Sequence, residues 1–218
     1  MPLKTINLDA INVKEKAYLI GIIAGDGYLY HDEWGHYKTN IYLNPSKDED
    51  IAKYVIFLLE KVGINPYIMH HHGCLIIRLN SKAFFNFIKG ESKNIQNNSD
   101  RDYIVGFISG FIDSDGYVSN GEIVISNVKK EIIDITNNFC RKLNINTKIW
   151  KQNTFCKCKM FSIWRLRIGT KFKYEKHYSQ KLNRIYGGAL PIIASIYSEM
   201  NDAYKGGVAR KSRRAHNP

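Results

Sequence analysis

The sequence of 218 residues has only five prolines and four cysteines, and no apolar run in it is long enough to cross a membrane. The cysteines form no CxxC pair, which argues against a zinc ribbon and against a disulfide framework. The opening segment MPLKTINLDAINVKEK lacks the features of a secretory signal and of an Arg-rich transit peptide. We therefore expect a soluble intracellular protein with no membrane partner, and cytoplasm and organelle matrix stay equally open.

Acidic residues are also scarce, since 20 Asp and Glu face 32 Lys and Arg and leave a net charge of +12. The basic residues are spread along the chain and accompanied by 14 Tyr and 10 Phe. A dispersed basic surface predicts a polyanionic partner, with nucleic acid as the first candidate. The alternative is a basic globular protein with no such partner.

The chain contains an internal repeat. YLIGIIAGDGYL at 18–29 recurs as FISGFIDSDGYV at 107–118, and IRLNSKAF at 77–84 recurs as LRIGTKFK at 166–173, both 89 residues later. EKVGIN at 60–65 returns as RKLNIN only 81 residues later. The change in offset places extra residues in HDEWGHYKT and in NTFCKCKMF, where we predict hairpin turns. We predict a first half over 1–90, a linker over 91–101, a second half over 102–204 and a basic tail over 205–218.

Each half predicts the order αββαββα, beginning with a helix that ends at GDG or SDG. Amphipathic helices are predicted at 48–62 and 130–143, and short closing helices begin near Ser81 and Thr170. The predicted strands are 28–30, 38–44, 66–70, 74–80, 117–119, 122–126, 147–152 and 161–168. The fold class is therefore α+β, a tandem pseudo-twofold repeat with two four-stranded antiparallel sheets and a central two-helix interface.

Polar and apolar residues alternate along these strands, so one face of each sheet packs on helices and the other presents Lys, Arg, Asn and Tyr. A two-stranded ribbon fits the DNA major groove, and Arg and Asn suit bidentate base contacts. An ordinary solvated face is the alternative. The candidate DNA-binding residues are Tyr28, Tyr30, Lys38, Asn40, Tyr42, Asn44, Arg78, Asn80, Tyr117, Ser119, Glu122, Ser126, Lys148, Trp150, Arg165 and Arg167.

The two motif helices carry small residues at four-residue spacing, namely Gly21 and Gly25 in the first and Gly106, Gly110 and Ser114 in the second. Such helices can approach each other closely. If they pack together, their carbonyl ends and the aspartates that terminate them lie side by side, where the negative helix dipoles add to the charge. The alternative is that each DG pair is only a turn that follows a core helix.

A shared carboxylate pair predicts a hard divalent cation with oxygen ligands. The predicted ligands are the Asp26 and Asp115 carboxylates and the Gly25 and Ser114 carbonyls, while Gly27 and Gly116 would provide the chain reversal after each helix. A cation between two basic sheets suggests phosphodiester hydrolysis, because metal ions activate water and stabilise the leaving oxygen.

The segments LIGIIAGDG and ISGFIDSDG resemble the two motifs of the LAGLIDADG homing endonucleases, and the resemblance extends over about 15–180. It implies a monomeric, Mg²⁺-dependent endonuclease, encoded in an intron or intein, that binds a long asymmetric double-stranded DNA site. It further implies double-strand cleavage across the minor groove with short 3′ overhangs. Mn²⁺ would replace Mg²⁺, and Ca²⁺ would bind without cleavage.

Carried over by position, the resemblance assigns the catalytic acids to Asp26 and Asp115. It assigns the polar residues that hold the attacking water to Asn44 and Asn127, and Lys89 is the candidate basic residue. The first motif has Ala24 where the second keeps Asp113. That position lies about 200° around the helix from the catalytic face, so the difference leaves the predicted metal site intact.

Two other functions fit the same motifs. An RNA-binding maturase would bind intron RNA and assist splicing, with or without DNA cleavage. A transcription regulator would normally need a separate DNA-binding module, and no helix-turn-helix segment is evident outside the repeat. The segment HHH at 70–72 is interpreted as a hairpin tip, CKCK at 156–159 as a basic loop, and the C-terminal residues as a basic arm.

Overall fold

The computed structural model describes residues 6–119, 121–156 and 159–186. The first half contains, in order, α1 (Val13–Asp26), β1 (Gly27–His31), β2 (Tyr37–Leu43), α2 (Glu49–Lys61), β3 (Tyr67–His71), β4 (Cys74–Leu79) and α3 (Lys82–Asn94). The second half contains α4 (Arg101–Asp115), β5 (Gly116–Ser119), β6 (Glu122–Asn127), α5 (Lys130–Lys142), β7 (Thr147–Cys156), β8 (Lys159–Ile168) and α6 (Gln180–Tyr186). The predicted α+β tandem repeat is confirmed.

The two halves end differently. Ser81 caps α3 by accepting a hydrogen bond from the Phe84 N–H, and the helix continues to Asn94, into the segment predicted as a linker. At the equivalent position of the second half, Gly169 offers no side-chain cap, and Thr170–Tyr174 forms only a short 3₁₀ helix. The predicted helix at Thr170 is therefore replaced by this turn, and α6 starts ten residues later.

Each half forms one antiparallel sheet, with strand orders β1-β2-β4-β3 and β5-β6-β8-β7. Asn40 pairs with Tyr28 and Arg78 in the first sheet, and the corresponding strand of the second sheet pairs Ser126 with Arg165. The predicted hairpin at HHH is also confirmed, because His72 and Gly73 form the β3–β4 turn with positive φ angles of 48° and 76°. The middle of CKCK, residues 157–158, lies outside the described residues.

Helices α1 and α4 pack against each other at the centre of the repeat. A Cβ atom on Gly21 would overlap the Phe107 carbonyl oxygen, and one on Gly110 would overlap the Tyr18 carbonyl oxygen. The glycines therefore allow backbone to meet backbone, as the small-residue spacing predicted.

Residues up to Lys181 form one compact unit that contains both halves. Residues from Leu182 onward form a second unit, of which the structure describes the remainder of α6, so the predicted end of the second half at 204 and the basic tail lie outside the described residues. Within the described ranges, no helix combines the length and the apolar character needed to cross a membrane.

Candidate metal centre and nucleic-acid interface

The carbonyl ends of α1 and α4 lie side by side. A Cβ atom on Gly25 would overlap the Ser114 side chain and would lie 3.0 Å from the Asp115 carboxyl carbon. Asp26 and Asp115 are the last residues of the two helices. The structure thus brings together all four predicted metal ligands.

The glycines after these helices do not reverse the chain as predicted. Gly27 has φ −93° and ψ 149°, and Gly116 has φ −92° and ψ 154°, which is extended backbone open to any residue. Glycine is required there for space, since a Cβ atom at Gly27 would overlap the Ile23 carbonyl oxygen and one at Gly116 would crowd that of Ile112. In both halves, the backbone therefore passes directly from the helix into a strand.

The paired aspartates are half-buried and repel each other. Burial raises the pKa of Asp26 to about 7, the carboxylates of Asp115 and Asp48 act in the same direction, and the ammonium of Lys181 lowers it. Burial also raises the pKa of Asp115, against the effects of the Asn127 hydrogen bond and of the Lys181 and Lys129 charges. The site therefore holds negative charge that the protein itself balances only in part.

The two predicted asparagines occupy different environments. Asn127 donates a 2.5 Å hydrogen bond from Nδ2 to Asp115 Oδ2. Asn44 accepts hydrogen bonds from the N–H groups of Ser46 and Lys47, both 3.0 Å, and no described contact joins it to Asp26. The position of the next helix explains the difference. The N-cap residue of α5, Lys129, comes two residues after Asn127, whereas the N-cap residue of α2, Asp48, comes four residues after Asn44.

The structure does not bring Lys89 to this site. Lys89 is exposed on α3, and none of its described contacts reaches either aspartate. Lys181 of α6 is the lysine that reaches the site. Its Nζ donates 3.0 Å hydrogen bonds to the carbonyls of Ser114 and Gly116. Sequence reasoning missed Lys181 because the first half has no matching lysine and the contact joins residues 67 positions apart.

The donor set fits a hard divalent cation. The available ligand atoms are carboxylate and carbonyl oxygens, and a cation would offset the burial and the repulsion by Asp115 that raise the pKa of Asp26. The described residues contain no cluster of three or more Asp, Glu, His or Cys side chains suited to hold a metal. Two carboxylates are thus the acidic ligands that this part of the chain supplies, and further oxygens must come from the backbone, from water or from a bound phosphate.

The predicted DNA-binding residues of the first half share the sheet face away from the helices. Tyr28 is 54% exposed, and Asn40 accepts a 3.0 Å hydrogen bond from Arg78 Nε beside it. Every side chain of β3 is exposed, and the register of β3 with β4 places alternate β3 residues on the same face as Arg78. The structure therefore adds residues to this face that sequence reasoning missed. These additional residues are Tyr67, Met69 and His71 on β3.

The second sheet presents a similar polar face. Arg167 donates a 2.6 Å hydrogen bond to Glu122, and Arg165 donates a 3.3 Å bond to Tyr117. Ser126 Oγ and Arg165 Nε are buried and have no hydrogen-bond partner within the described ranges. Gln152 and Thr154 continue the same face along the hairpin. The side chain of Ser119 lies outside the described part of the structure.

Comparisons with known proteins agree with this architecture. Residues 102–180 match the family model of the LAGLIDADG-like domain. A curated relative, the uncharacterized protein MJ0398 of Methanocaldococcus jannaschii, is 27% identical over 153 residues, which make up 67% of this chain and 55% of that protein. The chain thus spans about half the length of the curated relative that it matches.

Solved structures show the same fold. Mesophilic variants of the homing endonuclease I-DmoI align with a TM-score of 0.62 at 19% identity, covering 74% of this chain and 94% of theirs. I-DmoI in complex with DNA and Ca aligns with a TM-score of 0.62 at 20% identity, covering 75% and 90%. The N-terminal LAGLIDADG domain of DUF199/WhiA aligns with a TM-score of 0.53 at 17% identity, covering 81% and 90%.

The two sheets and the adjoining helix ends give the chain the same tandem fold as the I-DmoI structures. The second half is a LAGLIDADG-like domain, and the first half repeats its motif and its fold. The resemblance to the LAGLIDADG family that the two motifs predicted is confirmed by the family model over residues 102–180, and the solved structures share the fold.

Proposed function

We propose that this protein is a site-specific DNA endonuclease that hydrolyses phosphodiester bonds in both strands of a long asymmetric target, leaving short 3′ overhangs. The observation that carries the proposal is the pair of repelling aspartates at two adjoining helix ends. The likeness to I-DmoI, which has been solved with DNA and with Ca or Mn, supports the same reaction class. We further propose that it acts as a monomer, because one chain supplies both halves.

Asp26, Asp115 and the carbonyls of Gly25 and Ser114 would hold a divalent cation, Mg²⁺ or Mn²⁺, with Ca²⁺ as a substitute that does not support cleavage. When bound, such a cation lowers the pKa of an attacking water and stabilises the leaving oxygen. The protein contributes orientation and charge. Asn127 holds one carboxylate in place, and the Lys181 ammonium lowers the pKa of both acids, so we assign to it the role first given to Lys89.

The two polar sheet faces would bind the DNA. Their Arg, Asn and Lys side chains suit base edges and phosphates. The hairpin of the second half, with ten residues in each strand, is longer than the β3–β4 hairpin, whose strands have five and six. The halves therefore offer surfaces of different length, which supports an asymmetric target.

The test is cleavage of a plasmid library of randomised duplex sites in Mg²⁺. We expect the wild-type protein to linearise a subset of plasmids, and Asp26→Asn and Asp115→Asn to lose at least about a thousandfold in rate while binding the selected site in Ca²⁺ with little change. Asp102→Asn is the matched control, since Asp102 is an exposed acid in the first turn of α4. Cleavage by either site variant at the Asp102→Asn rate would overturn the assignment.

An RNA-binding maturase would use the same fold with intron RNA as its partner. The presence of both aspartates favours the endonuclease, because splicing assistance does not need them. Splicing of a precursor RNA by purified protein, measured beside DNA cleavage, separates the two functions. Splicing without cleavage of any library member would replace the endonuclease proposal with the maturase.

A further inference from the structure

The other aspartate of the second motif, Asp113, lies inside the protein rather than at the candidate metal centre. Asp113 has no exposed surface, although it is only two residues from Asp115. Its carboxylate accepts four hydrogen bonds, from Ser179 Oγ (2.6 Å), Tyr18 Oη (2.7 Å), the Gln180 N–H (2.7 Å) and the Lys181 N–H (3.0 Å). A buried charge needs such compensation, and here the donors supply it.

Three of these four donors belong to one short segment, Ser179–Lys181, which leads into α6. The fourth, Tyr18, is a buried residue of α1. Burial raises the pKa of Asp113 to about 6, and all four hydrogen bonds oppose that rise. Asp113 thus ties the start of α6 to the last turn of α4.

Lys181 extends from this tied segment to the metal centre. Its Nζ donates to the Ser114 and Gly116 carbonyls, which lie on either side of Asp115 in the chain. Its charge lowers the pKa of both Asp26 and Asp115. A cation at the carbonyl end of α4 is also favoured by the helix dipole.

We infer that Asp113 is the positioning residue for Lys181: by holding the backbone at 179–181, it fixes the ammonium beside the two aspartates. The first motif has Ala24 at the equivalent position, so the first half lacks this carboxylate. Asp113 therefore sets the placement of one lysine that serves both acids. The catalytic consequence rests on the proposed endonuclease function, but the placement does not.

The first experiment measures placement without DNA or metal. Wild-type protein and Asp113→Asn are labelled with an amine-reactive acetylating reagent, and the rate at each lysine is followed by mass spectrometry. The amide keeps the size of the carboxylate, but it lacks its charge and has a single acceptor oxygen. We expect Lys181 to be labelled about tenfold faster in Asp113→Asn, because the charge-assisted hydrogen bonds at its backbone are lost.

Lys61 is the internal control for this measurement, since it pairs with Glu15 on α1 and lies far along the chain from the segment. Its labelling rate stays unchanged if the fold is intact. If Asp113→Asn unfolds, Ser179→Ala is used instead, because it removes one donor and keeps the buried charge paired with the other three. Unchanged labelling of Lys181 in a folded variant overturns the inference, whether or not the protein cuts DNA.

The second experiment measures single-turnover cleavage of the selected site in Mg²⁺ for Asp113→Asn, Lys181→Met and the double variant. A positioning role predicts that each single variant slows cleavage about tenfold to a hundredfold and that the double variant is no slower than Lys181→Met. DNA affinity in Ca²⁺ stays within about threefold, so the loss appears in the rate rather than in binding.

A purely structural role predicts a different pattern. The losses of Asp113→Asn and Lys181→Met would then multiply in the double variant, and Asp113→Asn would be no slower than Phe139→Leu, a core variant of α5 with reduced stability. Either result overturns the inference. Failure of the wild-type protein to cleave any site contradicts the proposed function alone, because the labelling result still decides the placement.

Discussion

At the scale of single residues, the candidate metal centre places two carboxylates where their ionisation lowers the stability of the metal-free protein. Asp26 ends a helix, is half-buried and faces a second carboxylate at Asp115, and each of these features opposes its ionisation. Asn127 and Lys181 offset only part of this cost. This loss of stability is expected of a site that serves the proposed cation binding rather than folding.

This electrostatic cost predicts a pH-dependent gain in stability for Asp26→Asn in metal-free protein. The folded pKa of about 7 lies above the unfolded value, so the wild-type protein loses stability as the pH rises from about 4 to 7. We expect Asp26→Asn to raise the free energy of unfolding by on the order of 1–3 kcal/mol at pH 8 and by almost nothing at pH 4.

The measurement is urea denaturation in EDTA at both pH values, with Asp102→Asn as the control. The Asp102 side chain is 66% exposed where it pairs with Lys14, so we expect its neutralisation to give no gain in stability at pH 8. Equal stability of Asp26→Asn and the wild-type protein at pH 8 would show that burial and the neighbouring Asp115 carboxylate do not raise the pKa of Asp26 as described.

At the scale of elements, the α1–α4 contact is the feature on which the site depends, because it brings two carbonyl ends together. The apolar faces alone would also allow a wider packing distance. The glycines remove that freedom, since Gly106 and Gly110 on α4 lie against the backbone of α1 at Lys14 and Tyr18. Close packing of these helices therefore sets the separation of the aspartates.

The element scale predicts that Gly110→Ala is strongly destabilising. The added Cβ atom would overlap the Tyr18 carbonyl oxygen, and backbone at a helix interface cannot move aside locally. We expect a loss of about 2–3 kcal/mol in the free energy of unfolding, measured by guanidinium denaturation.

Gly90→Ala in α3 is the matched control, because a Cβ atom there would meet nothing within 4 Å. We expect it to gain about 0.5–1 kcal/mol from helix propensity. The interpretation of a close helix contact is wrong if both substitutions stabilise the protein.

At the scale of the whole molecule, a net charge of +12 and two polar sheet faces act together. In the proposed function, the charge would attract the DNA backbone at every sequence, whereas side chains in the grooves would distinguish one site from another. Lys148 lies on the second sheet face beside Arg167, and Lys53 lies on α2, where it pairs with Glu49. These two lysines allow the sheet face to be tested separately from total charge.

We expect DNA affinity to fall steeply with salt and Lys148→Gln to reduce the slope of log affinity against log salt by about 1. Lys53→Gln removes the same charge and is expected to leave the slope nearly unchanged. Fluorescence anisotropy in Ca²⁺ over a range of KCl concentrations gives both slopes. Equal effects of the two substitutions would place the DNA elsewhere on the protein.

Much of this architecture is predictable because it depends on short-range pattern. Strand alternation showed which side chains of β6 and β8 share a face, and the repeat indicated that Asp26 and Asp115 are equivalent. Three details were not predictable. The hydrogen bonds of Asn44 to Ser46 and Lys47 depend on the length of one turn. The extended backbone at Gly27 brings it against Ile23, and the position of Lys181 depends on a contact between distant segments.

The sequence by itself determined the order of the elements, the glycine stripes and the two terminal aspartates, since each depends on neighbours within one or two turns of the chain. Only the tertiary structure decided which basic and polar groups reach those aspartates. Lys181 and Asp113 meet through a segment that has no counterpart in the first half, and the two asparagines differ although their motifs match. The helices and strands of the two halves match because the local sequence is repeated. Contacts between distant segments differ because they depend on how the whole chain packs.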